Sequence, residues 1–250
     1  MPIPVEYVNG KKTFTVLENN PEVMNELASK LGLSPRLQFH DVYSLTDPEL
    51  LGMIPRPCLA LLVITPLTPA WHAERSSEDM EKPMYAGAGT DEPIWFKQTL
   101  GHACGSIGLL HSVINGPAKE HILPNSTLSK IREGAIPLKW EERAQFLYDN
   151  KDFEKAHQSV AEVGDTIPPD ASGGDKLGQH FVSFVKTEDG MLWELEGSRK
   201  GPIERGALNE DEDVLSERAV QLGLGRIIEL EKQNGGKDLR FSCIALSETT

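Results

Sequence analysis

The chain has 250 residues, of which 39% are hydrophobic and 25% charged, as is usual for a globular protein of one or two domains. Its 38 acidic residues outnumber its 25 lysines and arginines, so nucleic acid is not expected as a partner, because phosphate binding needs a basic face. No apolar run is long enough to span a membrane, and the N-terminus lacks the basic-then-apolar layout of a signal peptide.

The three cysteines, Cys58, Cys104 and Cys243, lie far apart and show no CxxC spacing. The sequence therefore predicts neither a disulfide framework nor a zinc site, and we expect no metal or other cofactor. Free cysteines are typical of a reducing compartment, which favours the cytoplasm and leaves the nucleus open. The net negative charge favours a basic protein or peptide as partner, although solubility alone would also account for it.

The first hundred residues mix helix and strand signals. The predicted elements are an extended start at 7–16, a helix at 20–32, a strand at 37–43, a short helix from 47, a strand at 58–65 and a polar loop at 72–93. The helix at 20–32 opens on a candidate N-cap followed by proline and closes on glycine. The strand at 58–65 is apolar throughout, which is typical of a central strand buried on both faces.

The remainder predicts helices first and then a hairpin. Its elements are a helix from Cys104 to about 115–116, helical pieces from 126 and 140, a loop at 163–175, strands at 180–185 and 191–195 around a turn at 188–190, a helix at about 212–233 and a strand at 239–246. The loop is rich in Pro, Gly and Asp; a domain boundary there is the alternative, disfavoured because the later strands need partners. The order indicates a layered α/β or α+β domain.

The strongest chemical signal lies in residues 98–110. Cys104 stands between small residues where a loop passes into an apolar helix. The thiolate is the reactive form of cysteine, and the start of a helix stabilises negative charge. A lone cysteine is more often a small buried hydrophobe, which fits Cys58 and Cys243 within apolar strands. Gln98 carries a side-chain N–H that could stabilise an oxyanion beside the sulfur; the alternatives are a surface residue or a cap.

A thiol hydrolase also needs a base beside the sulfur and a group that orients this base. His180 is the best-placed histidine, because it opens a strand just after the long loop. Reflected through the hairpin turn, it falls within a residue or two of Glu196. Whether the two side chains share a face depends on the turn register, which the sequence leaves open, and Glu196 is also explained as a strand end.

These residues lie in segments that resemble the ubiquitin C-terminal hydrolase family of cysteine proteases. Residues 98–108 are similar to the active-site signature of that family, residues 180–182 to its histidine segment and residues 192–197 to the segment bearing its acid. Further similarity lies, in the same order along nearly the whole chain, at residues 17–23, 39–43, 55–62, 141–144 and 240–242.

The resemblance implies a papain-like α+β fold, with a central and mostly antiparallel sheet flanked by helices, in a single catalytic domain over residues 1–250. It implies that Cys104 is the nucleophile, Gln98 the oxyanion donor, His180 the base and Glu196 the acid that orients it. It also implies a crossover loop at about residues 158–176, which spans the active site and limits the size of the leaving group.

Two positions depart from the pattern of the family. Aspartate is usual where this chain has Glu196, and asparagine is usual where it has His102. Because glutamate is one methylene longer, its contact with the imidazole must be re-aimed. Since aspartate is usual at this position of the family, we expect the substitution Glu196→Asp to preserve or raise activity if Glu196 is the orienting acid. We interpret His102 as a tolerated change rather than a group that tunes the thiolate.

The resemblance also implies ubiquitin as the partner, with ubiquitin-like proteins left open. The tail of ubiquitin is basic and ends in two glycines, so acidic residues should bind its arginines. Glu18, Glu22 and Asp41 fall at matching positions, although as plain sequence they are equally helix-start and strand-end charges.

The implied function is a monomeric deubiquitinating thiol hydrolase that cleaves small adducts or short peptides from the C-terminal glycine of ubiquitin. One alternative is a catalytically impaired ubiquitin-binding protein, motivated by Glu196. The other is an unrelated acyl hydrolase that acts on small esters.

Overall fold

The computed structural model describes residues 4–89, 93–161, 163–164, 178–236 and 238–249. The helices within these residues are α1 (Pro21–Leu31), α2 (Pro48–Leu51), α3 (Pro69–Met80), α4 (Cys104–Ile114), α5 (Thr127–Ala135), α6 (Trp140–Asp149), α7 (Lys151–Val160), α8 (Glu217–Leu222) and α9 (Leu224–Gln233), with a 3₁₀ helix at Gly116–His121. The strands are β1 (Glu6–Val8), β2 (Lys11–Thr13), β3 (Leu37–Asp41), β4 (Cys58–Pro66), β5 (Gln179–Lys186), β6 (Met191–Leu195), β7 (Ile203–Ala207) and β8 (Ser242–Glu248).

Six of the strands form one sheet in the order β3-β8-β4-β5-β6-β7. Every neighbouring pair in this sheet is antiparallel, and β1 and β2 form a separate hairpin. The prediction of a mostly antiparallel sheet is therefore confirmed. The apolar run at 58–65 is a central strand, as predicted, because β4 lies between β8 and β5 and is buried along most of its length.

Helices cover both faces of the sheet. On one face, α1, α4, α5 and α7 pack against alternate strand residues such as Leu62, Phe181 and Ile244. On the other face, Trp71 and the apolar side of α8 and α9 pack against the intervening residues, such as Val63 and Val182. Helix, sheet and helix thus form three layers around two cores, which is the α+β arrangement that the sequence predicted.

The predicted loop at 72–93 is wrong in its first part. Helix α3 spans Pro69–Met80, so residues 72–80 are helical. Thr68 is the N-cap, its side chain accepts a hydrogen bond from the amide of Trp71, and Pro69 is the first helical residue. Trp71 is the only buried residue of α3, so the helix has no apolar periodicity to detect. Its inner face is held instead by ion pairs, including Glu78–Arg205 and Asp79–Arg199.

The helix predicted at about 212–233 is also wrong in its bounds. It begins at Glu217 and is divided into α8 and α9. Ser216 caps α8 through its side chain, and Gly223, with φ −101 and ψ −108, separates α8 from α9. Strand β7 was not predicted. Residues 158–160 of the predicted crossover loop belong to α7, and most of the remainder lies outside the described residues.

The strand register brings chain segments of distant sequence to one end of the sheet. β3, β4 and β6 end where β5 and β8 begin, because all neighbours are antiparallel. Asp41 is paired with Ile244, Ile64 with Ser242, and Thr65 with His180. Glu196 follows directly after β6, so it lies at this same end.

Candidate active site

Cys104 is the first residue of α4, and Ala103 is its N-cap without a side-chain hydrogen bond. The first amides of a helix have no partner within the helix, which makes its start favourable for an anion. The Cys104 side chain is partly exposed. By contrast, burial raises the pKa of the Cys58 thiol to about 12 and that of Cys243 to about 11, so neither is a nucleophile at neutral pH.

Glycines bring α4 close against the sheet. A Cβ on Gly105 would lie 3.2 Å from a ring carbon of Phe181, and one on Gly108 would lie 2.8 Å from Cδ1 of Leu62. One turn further along the helix, the hydroxyls of Ser112 and Ser183 lie 2.8 Å apart. The small residues around the cysteine therefore let the helix start reach the strand that carries His180.

The loop before Cys104 is held by the N-terminal hairpin. The amide of Gly101 donates to the carbonyl of Lys12, and the amide of Phe14 donates to the carbonyl of Gly101, both at 2.9 Å. His102 follows with a φ of 54°, in the left-handed region where asparagine and histidine are enriched. Histidine and asparagine both favour this conformation, which is compatible with our interpretation of His102 as a tolerated change.

His180 and Glu196 meet on one face of the sheet. Ser183 is paired with Leu195 and Phe184 with Glu194, so the ladder continued would place Val182 opposite Glu196, and His180 lies on the same face two residues away. Nε2 of His180 lies 2.6 Å from Oε1 of Glu196. The predicted proximity of His180 and Glu196 is confirmed. The strand register places their side chains on the same face of the sheet.

The Glu196 carboxylate is fully buried and contacted from three sides. Oε1 accepts hydrogen bonds from the amide of Ser198 at 2.6 Å and from its hydroxyl at 2.5 Å. Oε2 lies 3.2 Å from Nε of Arg75, whose guanidinium stacks 4.9 Å from the ring centre of Trp71. Arg75 was not predicted as a site residue, because its helix lacks apolar periodicity. Ser198 lies two residues after Glu196, a spacing at which an acidic side chain often accepts a hydrogen bond from the backbone. This spacing was the signal in the sequence that could have identified Ser198.

The three groups are electrostatically coupled. Burial alone would lower the pKa of His180, but the negative charge of Glu196 and the hydrogen bond with Cys104 raise it to about 10. Burial likewise disfavours the ionised form of Glu196, but His180 and Arg75 hold its pKa well below the usual range. Because Nε2 of His180 contacts Glu196, Nδ1 is the ring nitrogen left for the Cys104 side chain, and the raised pKa of His180 favours the imidazolium form.

Gln98 is held between α4 and the residue after the acid. Its amide donates to the carbonyl of Gly197 at 2.7 Å, and a Cβ on Gly197 would lie 3.0 Å from that of Gln98. The preceding residues are tied to α4, since the amide of Phe96 donates to Nε2 of His111 at 3.0 Å. Gln98 thus lies beside both Glu196 and the helix that begins at Cys104.

The three predicted substrate-binding acids lie at the same end of the sheet, on its β3–β8 side. Asp41 ends β3 and is exposed, and Glu22 is exposed in the first turn of α1. Glu18 lies against Gly164, where a Cβ would clash with its carboxylate. The side chain of Asn19 donates to the carbonyl of Ser242 at 3.0 Å, which places this segment beside the start of β8.

Within the part of the chain that the structure describes, no group of three or more His, Cys, Asp or Glu side chains could hold a metal ion. None of the helices in the described ranges has the length and apolar character needed to cross a membrane.

Known proteins are similar to this chain in sequence and in fold. Residues 14–228 match the family described as "Ubiquitin carboxyl-terminal hydrolase, family 1". Ubiquitin carboxyl-terminal hydrolase 3 of Arabidopsis thaliana is 35% identical over 243 residues, 97% of each chain. Isozyme L1 of Rattus norvegicus is 34% identical over 231 residues, which cover 92% of this chain and 96% of the relative.

A solved structure, the Trichinella spiralis UCH37 catalytic domain bound to ubiquitin vinyl methyl ester, matches with a TM-score of 0.69 at 18% identity. The match covers 95% of this chain and 96% of that one, and at this identity it bears on the fold alone. The sequence relatives, which match over nearly their full length, carry the assignment further: the chain belongs to family 1 of the ubiquitin carboxyl-terminal hydrolases, which are cysteine-type peptidases.

Proposed function

We propose that the protein is a deubiquitinating thiol hydrolase that cleaves small adducts or short peptides from the C-terminal glycine of ubiquitin. The observation that carries this proposal is the continuous series of contacts from Cys104 through His180 to Glu196 at the start of a helix. In a member of this family, that series supports assigning Cys104 as nucleophile, His180 as acid and base, and Glu196 as the residue that orients the imidazole.

In the proposed reaction, the Cys104 thiolate attacks the carbonyl carbon of the last glycine of ubiquitin. The side-chain N–H of Gln98 and the backbone N–H of Cys104 stabilise the resulting oxyanion. His180 gives its proton to the leaving nitrogen as the C–N bond breaks, which leaves a thioester. Water then attacks the thioester while His180 accepts a proton, and the ubiquitin carboxylate and the free cysteine are released.

Glu196 serves this scheme without changing its own protonation. Since its pKa is held well below the usual range by His180 and Arg75, it stays ionised throughout the neutral pH range. Its contact with Nε2 keeps the ring oriented so that Nδ1 faces the sulfur, and its charge stabilises the imidazolium.

The proposed substrate side is the region around Glu18, Glu22 and Asp41. The basic tail of ubiquitin would approach Cys104 along these acids, through charge-assisted hydrogen bonds to its arginines. In support, the structural relative from Trichinella spiralis was solved with a ubiquitin derivative bound, and Glu18 and Asp41 lie at the end of the sheet that carries His180. Whether ubiquitin-like proteins are also substrates is tested with fluorogenic adducts of those proteins.

The direct test measures hydrolysis of a fluorogenic ubiquitin adduct by the wild type and by Cys104→Ala. We expect the variant to be inactive, while Cys243→Ala, a matched control at a cysteine held protonated, keeps wild-type turnover. Equal rates for the wild type and Cys104→Ala would overturn the proposal.

No contact among the described residues favours the catalytically impaired alternative. That alternative predicts ubiquitin binding without covalent labelling of Cys104 by a ubiquitin-based thiol probe. An unrelated esterase predicts turnover of small esters with no ubiquitin binding. Labelling of the wild type, absent from Cys104→Ala, separates both from the proposed function.

The remaining proposals concern the whole molecule. We place residues 1–250 in one catalytic domain that acts as a monomer. We propose that it is located in the cytoplasm, with the nucleus as an alternative or additional compartment. The three cysteines are free, which is compatible with a reducing compartment. Light scattering at two concentrations tests the monomer, and imaging of the tagged chain tests the compartment.

A further inference from the structure

An open cleft of about 490 Å³ lies directly beside His180. Its lining includes the apolar side chains of Leu67 and Trp71, and also Gln98 and Ser198, which lie next to the proposed catalytic residues. The cleft therefore opens onto the atoms at which the reaction is proposed to occur. A group bound in it would be within reach of the proton that His180 delivers.

The described lining of this cleft contains basic and no acidic residues, in an otherwise acidic protein. Lys11, His72 and Arg75 line it, and none of its described lining residues is acidic, although the chain contains 38 Asp and Glu residues. Arg75 is partly engaged by its ion pair with Glu196. Lys11 is exposed and, among the described residues, has no ion-pair partner, so its charge is available to a ligand.

The cleft and the proposed tail-binding acids lie on opposite sides of the proposed catalytic centre. Asp41 is on β3 and Glu18 adjoins the start of β8, at one side of β4 and β5. The cleft lies on the other side, between α3 and the segment that follows β6. If the basic tail occupies the acidic side, the group that departs from its carbonyl must project into the basic cleft.

We propose that this cleft is the leaving-group subsite and that it favours leaving groups that carry a carboxylate near the scissile bond. The inference rests on the proposed function, because it takes the acyl side to be the ubiquitin tail. The leaving amine receives its proton from His180 as the C–N bond breaks, and a carboxylate within the first residues of the leaving group meets Lys11 at the cleft. The carboxylate belongs to an acidic side chain or to the end of a short peptide.

The test uses three ubiquitin adducts, each with a short peptide after the last glycine. The first begins with glutamate and has an amidated end, the second begins with glutamine and has an amidated end, and the third begins with glutamine and has a free carboxylate. The value of kcat/KM is measured for the wild type, Lys11→Glu and Lys232→Glu. Lys232 is an exposed residue in the last turn of α9 and is not among the cleft residues, so it controls for net charge.

We expect the wild type to hydrolyse at least one carboxylate adduct about threefold faster than the amidated glutamine adduct, as one partly exposed charge pair allows. Lys11→Glu should abolish or invert this preference, and Lys232→Glu should keep it. The faster adduct identifies the carboxylate that is bound. Equal kcat/KM values for all three adducts would overturn this inference alone, whereas failure to hydrolyse any of them would overturn the proposed function.

Discussion

Glu196→Asp would withdraw the carboxylate from His180 by one carbon–carbon bond, about 1.5 Å. The contact between Nε2 and Oε1, now 2.6 Å, would lengthen to about 4 Å. At an effective dielectric constant of about 20, opposite charges attract by about 6 kcal/mol at the shorter distance and about 4 kcal/mol at the longer. The loss of about 2 kcal/mol corresponds to a roughly thirtyfold fall in rate.

The same change should lower the pKa of His180, because Glu196 is the charge that raises it to about 10. A loss of about 2 kcal/mol lowers this pKa by roughly 1.5 pH units. Since the folded-state pKa lies above the ordinary 6.5, the contact stabilises the fold fully below pH 6.5, and this stabilisation is lost as the pH rises through about 10. The alkaline limb of activity should follow the same pKa.

The assay is the pH profile of kcat and KM with a fluorogenic ubiquitin adduct, between pH 6 and pH 10.5. We expect kcat to fall about thirtyfold, the alkaline limb to move toward neutrality and KM to change little. Glu188→Asp is the matched control, because Glu188 is exposed in the turn of the same hairpin and pairs with Lys119.

A Glu196→Asp enzyme with wild-type kcat and an unmoved alkaline limb would refute this reasoning. That result would agree with the expectation drawn from the usual aspartate of the family. It would mean that the backbone after β6 shifts to follow the shorter side chain, despite the contacts that Ser198 and Arg75 make with the carboxylate.

Three further substitutions test the surroundings of the site. Arg75→Leu should lower the free energy of unfolding by about 1–3 kcal/mol in urea denaturation, because the buried Glu196 carboxylate loses a charged partner; an unchanged midpoint would contradict this. Gly197→Ala should cost about 1–3 kcal/mol by overpacking and lower kcat by displacing Gln98, so a variant equal to wild type in both would show that the close approach is not needed. At the left-handed position 102, His102→Asn should keep the melting temperature, whereas His102→Val should lower the stability by about 1–2 kcal/mol; similar melting curves for the two would refute the conformational explanation.

Features encoded in short segments were predictable from the sequence. The helix start at Cys104, the central strand at 58–65 and the hairpin that brings His180 toward Glu196 each depend on residues that are neighbours in the chain or across one tight turn. Local capping, apolar runs and turn residues determine such features directly. The small residues around Cys104 were also evident in the sequence, whereas their role in close packing against β4 and β5 required the structure.

Features that depend on distant contacts required the tertiary structure. Helix α3 has one buried residue and is held by ion pairs to β7 and to the segment between β6 and β7, so its own sequence contains no apolar period. Arg75 reaches Glu196 across 121 positions of sequence, and no local rule connects two such residues. The basic cleft is likewise assembled from segments that only the fold brings together.

By itself, therefore, the sequence determined which residues could carry the chemistry: Cys104, His180, Glu196 and Gln98. Only the tertiary structure decided that His180 and Glu196 share a face, because strand register is set by pairing along the whole sheet. It also decided how a glutamate occupies this position, since Arg75 and Ser198 hold its longer side chain in contact with the imidazole. Local propensity selects the groups, and packing between distant segments sets the distances of a few ångströms on which their reactivity depends.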